Sequence, residues 1–480
     1  MKIIFILFFF IISLASAQTT AFFKTYGGNN GYSVIQTTDS SFVVTGGISG
    51  GVRLVKTNFL GDTIFTRKYP TVFWGEGYSV EQTIDSGYII TGSIGNPDTM
   101  MEGSSDIIVI KTNSLGDTLW TKTWGLIPDT ISISNEGIGD IGYSVRQTID
   151  SGYIVAGMYN YSINYTGIFP PTAFLYKFSS TGDSVWSKTY DSMSVAKSVI
   201  QTYNGDYVFT GCIVISPFSY VYVVRTNQTG DTLWTRKLNF GFQNVDGEEI
   251  IQTDDSSFVI TGTINNGSNS NLLLCKINNN GQVIWSKIYD NGCYQNDYGF
   301  SVDECTDGGL IVTGGAGCSI FNIWLLRTDK DGDTLWTKNY GSSGVDNGNS
   351  VKQCLDRGFI ITGKTMGGMF LIKTDSLGNA PGLDSNIELP ENDSYKINVY
   401  PNPANDLVNL NFKFNKPEDI TIELYNITGK KVAFLYEDKN IVPDYNYNIN
   451  IDTKGLCNGV YFIVLKTERN SRTLKLTILR

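Results

Sequence analysis

The chain has 480 residues, which at roughly 150 per domain excludes a lone small module, and its 36 basic against 46 acidic residues give a formal charge of −10. That charge is the wrong sign for gripping a phosphate backbone, so nucleic acid is excluded as a partner. Histidine is absent, which removes Ser-His-Asp and Cys-His catalysis and His-ligated metals and leaves carboxylates, Tyr, Lys and Arg for any chemistry.

Aromatic residues make up 13% of the chain and glycines number 51, the profile of many short strands joined by tight turns. At the N-terminus Lys2 precedes an apolar run from Ile3 to Leu14 and then Ala15-Ser16-Ala17, which reads as a secretory signal peptide over 1–17 with cleavage before Gln18. No later stretch of about 18 apolar residues follows, so the mature chain is expected to lack a transmembrane segment.

A repeat dominates what comes next. Gly31-Tyr32-Ser33-Val34 leading to Val44-Thr45-Gly46 returns as Gly77-Tyr78-Ser79-Val80 to Thr91-Gly92, and then with closing glycines at 157, 211, 262, 314 and 363. Seven closing glycines spaced by 46, 65, 54, 51, 52 and 49 residues define seven units. A second segment, typified by Lys111-Thr112-Asn113-Ser114-Leu115-Gly116-Asp117-Thr118-Leu119-Trp120, alternates with the first, with Trp186, Trp234, Trp285 and Trp336 at the tryptophan position and Phe65 in the first copy. Each unit therefore supplies four strands, A to D, and four strands per 40 to 50 residues is the pattern of a propeller blade.

The ends specify a ring. The seventh unit stops at Lys373-Thr374-Asp375-Ser376-Leu377-Gly378-Asn379 without its fourth strand, and Phe22-Phe23-Lys24-Thr25-Tyr26-Gly27 matches the missing piece. The expected fold is all-β: a seven-bladed β-propeller over 18–382 closed by the N-terminal strand, which also hides its sheet edges. After Pro381 the period ends. A linker over 383–395 leads to alternating runs such as Leu407 to Phe412 and Ile420 to Tyr425, which predict a small β-sandwich over 396–480. From Pro390 onward 12 basic and 11 acidic residues give +1, whereas Gln18 to Leu389 carries −12, so the charge changes with the pattern.

The last 85 or so residues contain Val399-Tyr400-Pro401-Asn402-Pro403, Leu424-Tyr425-Asn426-Ile427-Thr428-Gly429-Lys430-Lys431, Asn458-Gly459-Val460-Tyr461-Phe462 and a terminal strand with Lys475-Leu476. In this order they resemble the type A C-terminal sorting domain of the Bacteroidota type IX secretion system. The resemblance makes Tyr400, Pro401, Asn402, Pro403, Gly429, Gly459 and Tyr461 the sorting motif and the type IX secretion machinery the partner. It also implies export through the periplasm to the outer-membrane surface or the medium. The repeats in turn resemble secreted Bacteroidota propellers, a resemblance that carries fold and not activity.

If strand A is innermost, the A-B and C-D turns share one face and are uniform, while the B-C and D-A loops share the other and vary. Loops on a rigid scaffold carry binding residues. The candidate site is therefore this variable face, with Trp74, Glu102, Tyr159, Tyr161, Tyr165, Phe169, Phe218 and Tyr220 as residues that stack on a glycan or anchor a protein ligand. The recurring acids Asp39, Asp85, Asp150, Asp255, Asp307 and Asp356 read as turn formers, since a catalytic pair is needed once and a turn in every unit. Asp329-Lys330-Asp331-Gly332-Asp333 has the alternating acids of a calcium loop, but Tyr340 stands where its bidentate Glu belongs. Arg225 and Arg327 replace a recurring lysine and do not form the arginine clamp a sialidase requires. The seven cysteines, scattered and odd in number, do not form a disulfide framework. No cofactor or metal is implied, and the expected role is a non-catalytic binding or adhesion protein, with a secreted carbohydrate-active hydrolase or lyase on the same scaffold as the alternative.

Overall fold

Two glycines per unit set the geometry of the sheets. The closing glycine lies opposite a bulge in the strand before it: a Cβ at Gly92 would sit 1.8 Å from the Glu76 carbonyl oxygen, and one at Gly314 1.8 Å from that of Tyr298. Only a residue without a side chain allows that approach. The second glycine, in the turn before the fourth strand, adopts a left-handed φ, from 75° at Gly281 to 81° at Gly182 and Gly332.

The computed structural model describes residues 21–95, 105–125, 139–159, 162–164, 167–169, 171–242, 244–265, 267, 269–292, 295–317, 321–341, 344–380, 395–414, 419–426, 431–442, 445–467 and 471–479. The chain divides into two compact units, Met1–Asp384 and Ser385–Arg480. The described residues are all-β without a helix, and those of the first unit form a propeller-like succession of antiparallel sheets.

In the first unit, four-stranded antiparallel sheets follow one another along the chain. Ser194–Gln201, Tyr207–Ile215, Phe218–Thr226 and Thr232–Leu238 pair in that order, as do Asn244–Gln252, Phe258–Asn265, Ser270–Ile277 and Val283–Tyr289. Asp297–Glu304, Leu310–Gly317, Phe321–Thr328 and Thr334–Tyr340 repeat the order, and Ile141–Gln147 edges the sheet formed with Tyr153–Tyr159, Thr172–Phe178 and Ser184–Ser192. Residues 31–124 make a six-stranded sheet because Phe42–Thr57 joins the second and third strands of the first repeat, and Thr63–Gln82 runs on from the fourth strand of that repeat into the first strand of the next. The sheet of Asn347–Gln353, Phe359–Thr365 and Gly368–Lys373 takes Phe22–Gly27 as its fourth strand, in the register Phe22 to Lys373 and Lys24 to Leu371.

The middle strands are buried on both faces, as in Tyr88–Gly95, whereas the fourth strands alternate and keep one face wet, as in Thr118–Trp124. The apolar cores consequently lie between consecutive sheets. Ile154, Ala156 and Leu175 of one sheet pack against Phe209, Tyr222 and Val224 of the next, and Phe22, Ile360 and Leu371 pack against Val34, Phe42 and Val44. Each buried Val, Leu, Ile or Phe side chain among them contributes about 1.5–3 kcal/mol.

At the periphery the aromatic residue of each fourth strand lies over the left-handed glycine of the following unit: Trp120 over Gly182, Trp186 over Gly230, Trp285 over Gly332 and Trp336 over Gly378. Phe22 lies over Gly61 in the same way. Tyr69 donates its hydroxyl hydrogen to the Gly116 carbonyl at 2.8 Å, and Tyr26 donates to that of Gly61 at 2.7 Å.

The recurring acids are turn formers tied to a buried base. Asp85 accepts hydrogen bonds from Thr83 and from the Gly87 N–H, and pairs at 2.8 Å with Lys111, whose side chain is 3% exposed. Asp39, Asp150, Asp255, Asp307 and Asp356 repeat this with Lys56, Lys177, Lys276, Arg327 and Lys373. Burial alone would raise the Asp85 and Asp150 carboxyls, but the lysine, threonine and backbone donors outweigh it and hold both below the usual range. Cys305 and Cys354 occupy the threonine position as buried free thiols, which burial pushes up to about 12, out of reach of thiolate chemistry.

In the second unit, Tyr395–Tyr400, Leu407–Phe414 and Tyr447–Asp452 form one sheet, and Lys431–Asp438, Ile420–Asn426, Gly459–Thr467 and Ser471–Ile478 form another. Val408, Leu410 and Phe412 of the first share a core with Ile422, Leu424, Ile463 and Ile478 of the second.

Gly332→Ala should destabilise the protein by about 1–3 kcal/mol, because the new Cβ meets a left-handed φ and the Trp285 ring 3.1 Å away. Equilibrium urea unfolding checks this, and an unchanged midpoint would contradict the packing described.

Candidate functional site

The strands that start each sheet, Gly31–Gln36, the end of Thr63–Gln82, Ile141–Gln147, Ser194–Gln201, Asn244–Gln252, Asp297–Glu304 and Asn347–Gln353, together line a cavity of about 760 Å³. Two series of hydrogen bonds tie these inner strands together. In the first, the serine that follows each repeat's aromatic position accepts the N–H of the valine or isoleucine in the next unit: Ser33 from Val80, Ser79 from Val145, Ser144 from Val199, Ser198 from Ile250 and Ser301 from Val351, at 3.1–3.3 Å. Ser350 accepts from Val34 at 3.3 Å, joining the seventh unit to the first.

In the second series, the glutamine ending the inner strand accepts an N–H from the preceding unit. Gln82 takes that of Thr38, Gln147 that of Ile84, Gln201 that of Ile149, Gln252 that of Tyr203, Gln353 that of Thr306 and Gln36 that of Leu355, at 2.8–3.0 Å. Each series has one acid in it. Glu249 stands among the serines, accepting from Val302 N–H at 2.9 Å, and Glu304 stands among the glutamines, accepting from Asp254 N–H at 2.9 Å.

Because the backbone bonds are made by serine and glutamine, two other positions of each inner strand vary. After the valine or isoleucine stand Ile35, Glu81, Arg146, Ile200, Ile251, Asp303 and Lys352 in successive units. Glu249 reaches Lys352 at 3.4 Å and Arg146 at 4.0 Å, and Lys352 also reaches Asp303 at 3.4 Å, so ion pairs connect inner strands of four different sheets. Burial pushes the Glu81 and Asp303 carboxyls up, with Arg146 and Lys352 only partly offsetting it. Burial acts to lower the Lys352 ammonium, but Asp303 and Glu249 outweigh it and leave it raised.

The second variable position, before the serine, holds Tyr32, Tyr78, Tyr143, Lys197, Glu248, Phe300 and Asn349 at the end of the cavity next to the segments leading into the inner strands. Tyr32 and Tyr78 meet edge to face at 4.7 Å, and Tyr78 and Tyr143 lie 5.7 Å apart. Glu76 accepts the hydroxyl hydrogens of Tyr32 at 2.8 Å and Tyr78 at 3.0 Å. Lys197 pairs with Glu248 at 2.5 Å. This mouth therefore combines an aromatic arc on one side with a paired base and acid on the other.

The residues expected on the variable loops are dispersed. Trp74 is 38% exposed and pairs with Ser49. Phe218 and Tyr220 are half-buried at the start of Phe218–Thr226, in a different sheet from Trp74. Tyr159 is not available to a ligand: it is 4% exposed, stacks on Phe174 at 4.2 Å and accepts the Trp124 indole N–H at 3.1 Å. Phe169 ends the short strand Gly167–Phe169, and Glu102, Tyr161 and Tyr165 lie outside the described residues. Arg146, Glu249, Asp303 and Lys352 were missed because reading each strand as a repeat directs attention to what recurs, whereas aligning the seven copies column by column exposes Glu249 among serines and Lys352 in a column split between isoleucines and charged residues.

Other candidates are consumed by structure. Asp329 accepts the N–H groups of Asp331 and Asp333, Asp331 pairs with Lys330, and Asp333 pairs with Lys287. Among the described residues no group of three or more potential metal ligands converges. Arg225 pairs with Asp206 and Arg327 with Asp307, each within its own sheet.

In the second unit the Asn402 side-chain oxygen accepts the Thr477 N–H at 2.8 Å, and Ala404 bonds the terminal strand through Thr477 and Leu479. Tyr400 is half exposed, and its hydroxyl accepts from Asn411 at 3.0 Å. Pro401 and Pro403 follow cis peptide bonds. Gly459 opens Gly459–Thr467 opposite Ile478, buried Tyr461 donates to the Cys457 carbonyl at 3.1 Å, and Gly429 lies outside the described residues.

Residues 398–479 match the secretion system C-terminal sorting domain. This tail indicates export with engagement of the type IX secretion machinery, and a secreted or outer-membrane surface destination. Among the described residues no helix is long and apolar enough to cross a membrane. No curated protein matches the sequence. Similar solved structures include an ulvan lyase bound to -[GlcA(1-4)Rha3S]-, at 8% identity over 74% of this chain and 96% of the lyase, TM-score 0.48. A protein of unknown function from Bacteroides caccae is similar at 12% identity over 62% and 93%, TM-score 0.37, and Drosophila Plexin A, in complex with Semaphorin 1b, at 8% over 74% and 85%, TM-score 0.41. Likeness of this degree says nothing about activity.

Glu249→Ser restores the residue common to sibling units and Lys352→Ile introduces one that three siblings carry, and their combination should show a coupling of about 1 kcal/mol in a double-mutant cycle of unfolding free energies. Additive effects would mean that the two charges do not interact across the cavity.

Proposed function

We propose that this chain is an exported, seven-bladed β-propeller, closed by its first strand, that binds a ligand at the tyrosine-lined mouth of its channel and performs no covalent chemistry there. The count and closure are supported by the repeats, by the inner-strand bonds that lead from the seventh unit back to the first, and by the pairing of Phe22–Gly27 with Gly368–Lys373. We assign 1–17 as signal peptide, 18–382 as propeller, 383–395 as linker and 396–480 as a β-sandwich that serves the type IX secretion machinery.

The observation that carries the binding reading is the state of the channel carboxylates. Glu81 is bonded to Gln147 N–H, Glu248 to Lys197, Glu249 and Asp303 to Lys352, and Glu304 to Asp254 N–H. A hydrolase needs two carboxyl groups free to act as acid and as base or nucleophile. Beside these occupied groups, Tyr32, Tyr78 and Tyr143 offer ring faces suited to a saccharide.

Screening the purified protein against a glycan panel should return binders that Tyr78→Ala weakens at least tenfold, with no product in a parallel hydrolysis and elimination assay. Turnover of any bound glycan, or binding indifferent to Tyr78, would sink the reading. Truncation after Asp384 should leave the chain in the periplasm, and surface display of the truncated chain would remove the sorting role.

A further inference from the structure

Arg53 departs from the repeat in a way that points to a ligand. Three residues before the base that serves each aspartate turn, the sibling units place apolar residues such as Ile108, Phe174, Leu273 and Phe370, and the first unit places Arg53. The side chain is 8% exposed, its Nε is shut away from solvent without a hydrogen-bond partner, and among the described residues no ion pair or hydrogen bond reaches the guanidinium. Burial lowers its pKa. A buried, unpaired charge is costly, and the other interior bases of the repeats, such as Lys111, Arg225 and Arg327, all have a carboxylate.

A second cation stands beside it. Lys68 is the direct cross-strand partner of Arg53, which puts both side chains on one face of the sheet, and like charges in that position repel. Lys68 is exposed and also lacks an ion pair among the described residues; its ammonium lies 3.3 Å from where a Gly50 Cβ would be. Gly27, Gly28 and Gly47 stand around Arg53, with the Glu76 side chain against Gly47. A Cβ at Gly28, whose φ is +79°, would fall 2.7 Å from Arg53 Nη1 and 3.0 Å from the Gly47 carbonyl oxygen. Asn30, two residues on from Gly28, donates to the Tyr32 hydroxyl at 2.7 Å, so the cradle adjoins the tyrosine mouth. Glu76, the acid near Gly47, takes the Tyr32 and Tyr78 hydroxyls on Oε2 and turns Oε1 toward Gly47.

We infer that Arg53 and Lys68 form an anion subsite that takes the carboxylate or sulfate of an acidic saccharide lying on the tyrosine arc. The guanidinium fork suits a planar or tetrahedral oxyanion, and Lys68 adds a point charge. The saccharide part rests on the binding proposed above; the anion part does not.

The test uses the full chain. Sodium sulfate should raise its melting temperature beyond sodium chloride at equal ionic strength, and calorimetry should show uronate-bearing or sulfated oligosaccharides binding at least tenfold tighter than neutral ones. Comparing the uronate and sulfate arms identifies which group is preferred. Arg53→Leu, the sibling type of residue, should melt no lower than the parent, lose the sulfate response and lose the preference for acidic over neutral oligosaccharides; Arg53→Gln supplies the same readout with a polar side chain, and Lys68→Gln should weaken acidic ligands several-fold. A parent protein indifferent to sulfate and to acidic saccharides, or variants that keep the response, would overturn the inference. A sulfate response dependent on Arg53 in a protein that binds no glycan would keep the subsite and remove the mouth.

Discussion

An aromatic ring resting on a left-handed glycine of the neighbouring unit is the contact on which the first unit's architecture depends. The glycine turns the chain into its fourth strand and leaves a bare spot, and the ring from the unit before covers it. Neither half works alone: a side chain on the glycine would push the ring away, and a smaller residue in place of the ring would forfeit the van der Waals contact over the bare backbone. Since each sheet offers both a ring and a glycine, one local rule generates the whole array, and Phe22 over Gly61 obeys it without belonging to the same stretch of chain.

Much of this was legible in the residues because it recurs. The closing glycines, the Asp-Ser-Gly turns and the tryptophans appear in copy after copy, and the vacancy at Asn379 together with the orphan segment at Phe22 specified a pairing that the register now details. The candidate site was less legible for the opposite reason. Its residues differ in every copy, so Glu249, Arg146, Asp303 and Lys352 look like scatter until the inner strands are seen to face one another across a cavity. Tyr159 misled because a loop-adjacent tyrosine and a buried one look alike in sequence; only the Phe174 and Trp124 rings around it decide the matter.

The inner wall separates structural duty from chemical freedom. Serine and glutamine hold the strands to each other through backbone N–H groups, which leaves the positions between them free to be isoleucine in one unit and a charged residue in another. The same separation recurs in the second unit, where Asn402 is tied to the terminal strand while Tyr400 remains half exposed.

The two series of inner-strand bonds point in opposite directions, serine reaching forward to the next unit and glutamine back to the previous one. Both kinds of bond cross the same seam between two units, as Ser33 to Val80 and Gln82 to Thr38 do. The loss of one serine or glutamine therefore removes one of two stitches and leaves its companion to keep the neighbouring strands in register.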